Sequence, residues 1–261
     1  MTVRFLFLLS PNNSGSTVIG QYLEAQTGGY LPPFGNFEGQ MAPAVRGVMR
    51  TDPWNPEREF DWTMIRREWS ALAEGDGKNL FIECSPPNLL RLEAIKAAFA
   101  EAASYLFSIS SPFSYIASTI YNYERAPVTR SRLQHRAGDW LFKAERMKRN
   151  IEANPDVPLI SYEKFCAAPG IATEALGIEV VPAARLRGKS NEPLREIVDL
   201  TARHLAFLTF SEWDDVNEVL AGNEDLLRFF GYGIHPGRAL LESAFGAPAI
   251  MPAGTLHPGR W

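Results

Sequence analysis

The chain has 261 residues, 46% hydrophobic and 21% charged, with 26 basic against 30 acidic side chains and a formal net charge of -4. That balance suits a soluble globular protein of one large domain, and it offers no electrostatic basis for a nucleic-acid or anionic-membrane partner. Two cysteines, Cys84 and Cys166, lack metal-ligand spacing and imply neither a bound metal nor a disulfide framework; a reducing, cytoplasmic setting is expected. No segment approaches the about 18 consecutive apolar residues that cross a bilayer, and the run Phe5–Leu9 is too short for a signal peptide and lacks a cleavage site.

In chain order, the first element is a solid apolar run, Val3 to Leu9, of strand length. It empties into Ser10-Pro11-Asn12-Asn13-Ser14-Gly15-Ser16-Thr17, and helix-like sequence follows from Val18. A buried strand, a tight loop and a helix N-terminus aim backbone N–H groups and the positive end of a helix dipole at one point, where phosphate groups bind. The spacing is that of a P-loop, with Ser10 where the first Gly would stand and Ser16 where the Lys would stand. The missing Lys argues against an ordinary ATPase or GTPase; a Ser/Thr N-cap without a ligand is the plainer alternative.

The aromatic-rich stretch that follows contains Glu38 in a Gly-bearing loop that could line an acceptor pocket. Trp54, Trp62 and Trp69, near Pro53 and Pro56, read as a lid or pocket wall. Further strands are predicted at 79–83, 104–109 and 157–161. Helical periodicity separates them, through Leu89, Leu92, Ile95 and Phe99, and along a long basic amphipathic helix over 133–151. After the second strand, Glu83-Cys84-Ser85-Pro86-Pro87-Asn88 forces a turn, with Asn88 placed to cap the next helix; after the third, Pro112 opens a helix. Helix starts are expected at Ser211 and Asn223. Strands alternating with helices predict a central, mainly parallel sheet covered on both sides, a three-layer α/β/α fold of the P-loop NTPase type. Ligands of such sheets sit beyond the carboxyl ends of the strands.

With these residues assembled, the chain resembles the sulfotransferase family over about residues 3–232. Asn13-Ser14-Gly15-Ser16-Thr17 matches the loop that holds the 5′ phosphosulfate, and Glu83-Cys84-Ser85-Pro86 matches the family's Glu-Lys-(Ser/Thr)-Pro. Ser110-Ser111-Pro112 with Ser118 has the spacing of the 3′-phosphate element. Tyr162-Glu163-Lys164-Phe165 with Pro169 is similar to the Tyr-Glu-Asp-Leu segment, and Leu208 to Tyr232 to the C-terminal helical end. The resemblance implies transfer of a sulfuryl group from 3′-phosphoadenosine 5′-phosphosulfate to a hydroxyl or amine of a small-molecule or peptide acceptor, with adenosine 3′,5′-bisphosphate left behind and no metal. It implies nucleotide contacts at Asn13, Ser14, Gly15, Ser16, Thr17, Ser110 and Ser118.

Three basic residues of the family pattern are replaced here, by Asn13, Cys84 and Ser110. A hydrogen bond to a charged group contributes about 1.5–3 kcal/mol. Losing three without replacement therefore costs on the order of 5–9 kcal/mol, roughly three to six decades of affinity. Substitute cations are sought first in the loop 185–191, where Arg187, Gly188 and Lys189 resemble a basic segment that folds over the nucleotide, and also at Arg185, then at Arg125, Arg130 and Arg132. The acceptor's proton requires a base; Glu83, at a strand's carboxyl end, and Glu38 are the candidates. His135 reads as a surface residue and Cys84 as a small buried one. The expected organisation is a sulfotransferase-like domain over 1–234 and a Gly/Pro-rich tail over 235–261 that packs on the domain or a partner and repeats His-Pro-Gly-Arg. A homodimer is compatible with it. Two other readings stand: a non-catalytic or donor-switched relative that binds an anion or partner, and a P-loop kinase-type phosphotransferase.

Overall fold

Alternating Phe and Leu make the first strand apolar on both faces, and the fold uses both. The structure, a computed structural model, describes residues 2–123, 128–179 and 197–240. Strand β1 (Arg4–Leu9) is buried at every position after Arg4. It lies inside a parallel sheet, between β2 (Leu80–Glu83) and β3 (Ala103–Ile109); β4 (Leu159–Ser161) completes the order β2-β1-β3-β4. Phe5 is level with Phe81, Phe7 with Tyr105, and Ser108 with Ile160. Tyr30 extends the outer edge of β2, donating to Leu80 O at 2.7 Å and accepting from Ile82 N at 2.8 Å.

Side chains alternate across a strand, so the sheet has two chemically different faces. Leu6, Leu8, Ile82, Leu106 and Ile160 point to one face and form an aliphatic core with α1 (Ser16–Thr27), α7 (Tyr162–Ala167) and α8 (Ile171–Ala175). Phe5, Phe7, Phe81 and Tyr105 face the other way, against α3 (Trp62–Gly75) and α4 (Leu92–Phe99), with the short α2 (Arg46–Met49) before them in the chain. Trp69, fully buried, stacks on Phe81 at 5.2 Å, and Phe99 meets Phe5 edge-on at 4.7 Å. The three layers predicted from the alternation are present. Trp62 and Trp69 are a correction: they are core residues of α3 beneath the sheet, because four aromatic rings from the strands need partners there.

The chain divides into two compact units, 1–110 with 143–198 and 111–142 with 199–261. The sheet and its two helical layers belong to the first. The second contains α5 (Pro112–Tyr123), the first part of α6 (Arg130–Ala153), α9 (Thr201–Leu205), α10 (Phe210–Leu220) and α11 (Glu224–Phe229). Its core gathers Trp213, whose indole donates to Leu205 O, with Phe113, Trp140 and Phe230. Helix α10 is capped by Thr209, two residues before the expected Ser211, because Thr209 and Glu212 form a reciprocal capping box. Asn223 does precede α11. Residues 235–240 lie on α10: Asn217 donates to His235 O and Gly237 N to Asp214. No helix among the described residues is long and apolar enough to cross a membrane.

Candidate active site

The loop after β1 reaches α1 through two left-handed residues, Asn13 at φ 57° and Gly15 at φ 80°. Gly15 is the N-cap of α1, so the cap position brings no side-chain acceptor to the first helical amides, and no acidic residue occupies the first turn. Those amides have no partner within the helix itself. Glycine is required at 15 twice over. Its φ is costly for other residues, and a Cβ there would fall 2.1 Å from Cδ2 of Tyr162, whose ring lies against the loop.

Hydroxyls and amides line the same segment. Ser14 is fully buried and its Oγ accepts from Ser110 Oγ at 3.0 Å, tying the end of β3 to the loop. Ser16 is buried, Thr17 half-buried, and the buried Ser10 hydroxyl has no hydrogen-bond partner among the described residues. The fold therefore brings together Asn13, Ser14, Gly15, Ser16, Thr17 and Ser110. Ser118 lies on α5 in the second unit, where its Oγ accepts from Asn122 at 3.0 Å. Arg125, Arg185, Arg187, Gly188 and Lys189 lie outside the described residues.

Sequence reasoning missed a lysine that the described residues place beside this loop. Lys143 of α6 is buried, and its Nζ donates to Asn12 Oδ1 at 2.7 Å while lying 4.6 Å from the centre of the Trp54 ring. The available signal was its position: Lys143 stands three residues after Trp140 and four before Met147, on the buried stripe of an otherwise basic helix. Trp54 is held from both sides by Arg91, which donates to Pro53 O at 2.8 Å and Asn55 O at 2.7 Å, and also to Pro87 O and Arg58 O. Arg130 is committed elsewhere, to Asp215 and Glu218 of α10.

Two carboxylates flank the end of β2. Glu83 is completely buried. Its Oε1 accepts from Ser85 N at 2.8 Å and Asn88 Nδ2 at 3.0 Å, and its Oε2 from Gly39 N at 2.8 Å. Asn88 thus serves Glu83 from within the 3₁₀ turn Pro86–Leu90, whose N-cap is Ser85; this corrects the expected capping role. Burial drives the Glu83 carboxyl up from 4.5 to about 7 against the hydrogen bonds from Ser85 and Gly39, with the charge of Glu38 adding to the rise. Glu38 is half-buried, accepts from Gln40 Nε2, and is also raised by burial, opposed by Gln40 and Arg50. Gln40 N donates to Ser85 Oγ at 3.0 Å, so the segment carrying Glu38 is stitched to the end of β2.

Cys84 points the opposite way from Glu83, into the aliphatic core, where a Cβ on Gly20 would meet its sulfur at 2.6 Å. Burial and the surrounding carboxylates push its thiol well up, so it is an inert core residue. His135 is exposed beside Asp139, a surface residue as expected.

Neither a protein-family model nor a curated protein matches the chain by sequence. Solved structures do match in three dimensions. A sulfotransferase domain from the curacin biosynthetic pathway aligns with a TM-score of 0.54 at 15% identity, over 90% of this chain and 99% of that chain. A sulfotransferase from Alicyclobacillus acidocaldarius aligns with a TM-score of 0.56 at 15% identity, over 88% of this chain and 96% of that chain. The chain has a sulfotransferase-like α/β fold. That likeness extends over nearly the whole of both neighbours.

Proposed function

We propose that the protein is a sulfotransferase that uses 3′-phosphoadenosine 5′-phosphosulfate and acts on a hydroxyl or amine acceptor. The observation that carries the reading is the glycine-capped loop at the carboxyl end of β1, backed by buried hydroxyls, with two carboxylates at the carboxyl end of the neighbouring strand β2. The residues fit an anionic donor: left-handed Asn13 and Gly15 turn the loop, and Ser14, Ser16 and Thr17 supply hydroxyls beside the first-turn amides of α1, which no cap side chain engages. When bound, the donor supplies the sulfuryl group, and the sulfur–oxygen bond to its phosphate is exchanged for one to the acceptor.

Glu38 is the base in this reading. It is the less enclosed of the two carboxylates, and burial raises its proton affinity toward that of a working base. Glu83 sits behind it as a positioning group, fixing Gly39 and hence the backbone next to Glu38. The loop amides stabilise charge left on the departing phosphate. Glu38→Gln is expected to lower kcat about 10²–10⁴-fold while leaving the affinity for adenosine 3′,5′-bisphosphate within about threefold of the native value. A radiolabelled-donor assay over hydroxyl and amine acceptors, paired with calorimetry, checks both.

A non-catalytic or donor-switched relative is the second reading, favoured by Asn13, Cys84 and Ser110 at the positions where the family pattern is basic. Micromolar binding of the bisphosphate supports the enzyme. Absence of binding at millimolar ligand supports the second reading, and magnesium-dependent ATP binding would replace both with a phosphotransferase. A membrane-free, cytoplasmic location and a metal-free reaction go with the first proposal.

A further inference from the structure

We infer that Phe37 is the positioning residue of Glu38: a side chain packed against the aliphatic core holds the backbone in a left-handed turn that sets where the carboxylate lies. The inference rests on the sulfotransferase reading only for the use to which Glu38 is put.

Three observations converge. Phe37 has φ 64°, a region that glycine enters freely and that a bulky side chain occupies only as an outlier. Its side chain is half-buried and packs against the aliphatic core, so the residue that carries the strain also anchors the segment. And the turn is closed by a bond from Glu38 N to Phe34 O at 3.1 Å. Gly35, at φ 53°, shares the left-handed turn, so that bond depends on both residues keeping the same sign of φ.

After Glu38 the chain is fixed independently. Gly39 N donates to Glu83 Oε2 at 2.8 Å, Gln40 N donates to Ser85 Oγ at 3.0 Å, and Gln40 Nε2 donates to the Glu38 carboxylate itself. Before it, Thr17 Oγ1 of α1 donates to Asn36 O at 3.4 Å, a long and weak bond; the firmer tie on this side is the Phe37 side chain. Strain of this kind persists only where the surroundings over-determine it, and it gathers at functional sites. The charges that act on Glu38 come from Arg50, the C-cap of α2, and from Glu83 at the end of β2. A rigid turn keeps Glu38 half-buried, and that burial is what raises its proton affinity.

The test is a carboxyl carbon-13 NMR titration of the full chain labelled at glutamate, with Glu38 assigned through Glu38→Gln. Phe37→Ala keeps the costly backbone and removes the anchor. It is expected to return the raised Glu38 titration toward the ordinary 4.5, whereas Phe37→Leu keeps most of the shift. Phe37→Gly removes the strain together with the side chain; it is expected to match Phe37→Ala and covers the case in which that variant does not fold. Glu83 should stay raised in all three, which a general loosening of the fold would not allow. With a hydroxyl or amine acceptor that is turned over, Phe37→Ala is expected to lower kcat at least about tenfold while leaving bisphosphate affinity within about threefold. A Glu38 titration that is equal in native protein, Phe37→Ala and Phe37→Gly overturns the role of Phe37 and leaves the base assignment standing. A titration that follows Phe37, beside full activity in Glu38→Gln, supports the positioning and overturns the base.

Discussion

At the scale of single residues, Gly39 and Glu83 define each other. A Cβ on Gly39 would lie 2.0 Å from Glu83 Oε2 and 3.0 Å from Cε2 of Trp69. The carboxylate cannot move aside, since three donors hold it, and the indole is anchored by its own bond to Gly39 O at 3.2 Å. Gly39→Ala is therefore expected to cost about 2–3 kcal/mol, the upper range for overpacking; equal urea midpoints for variant and native protein would show that the site yields. Glu83 also gives stability a pH dependence. Its folded value of about 7 exceeds its ordinary 4.5, so between these limits the native state binds more protons than the unfolded chain. Stability is then fully present below the unfolded value and falls as pH rises toward about 7, by about 3 kcal/mol in all. Glu83→Gln should flatten that slope. It should also cost about 1–3 kcal/mol by setting an amide N–H against one of the three donors. Unfolding curves at pH 5 and pH 7.5 for both proteins measure the two effects.

Among the elements, the 53–60 loop illustrates how an irregular segment is made rigid. Its backbone carbonyls are gathered by one guanidinium from the N-terminus of α4, and burial lowers the affinity of Arg91 for its proton. Arg91→Met is expected to destabilise the protein by about 3 kcal/mol or more, because buried carbonyls lose charged donors. Hydrogen exchange should show amides 53–60 opening while the strands stay protected; unchanged protection there would place the anchoring elsewhere. The strands themselves were legible. Runs at 79–83, 104–109 and 157–161 correspond to β2, β3 and β4 within two residues at each end, since a strand buried on both faces carries a continuous apolar signal. The aromatic stretch was misread at Trp62 and Trp69, because tryptophans near prolines look alike in a pocket wall and in a core until the facing strand is known.

On the scale of the whole molecule, ligand binding and stability are linked. Adenosine 3′,5′-bisphosphate at 100 times its dissociation constant should raise the unfolding free energy by about 2.7 kcal/mol; a melting temperature that does not move with ligand concentration counts against the donor site. The sequence by itself determined the layered α/β architecture and the strand–loop–helix cradle, since both rest on local patterns: alternation, a glycine between short polar residues, and an apolar run of strand length. It also showed which basic residues of the family pattern are missing. Only the tertiary structure showed which distant side chain lies beside the loop. Asn12 and Lys143 are 131 positions apart, and no local rule distinguishes one lysine among the basic residues of a long helix. Which side chain reaches the loop depends on how the helix and the sheet meet, and that is a property of the folded chain alone.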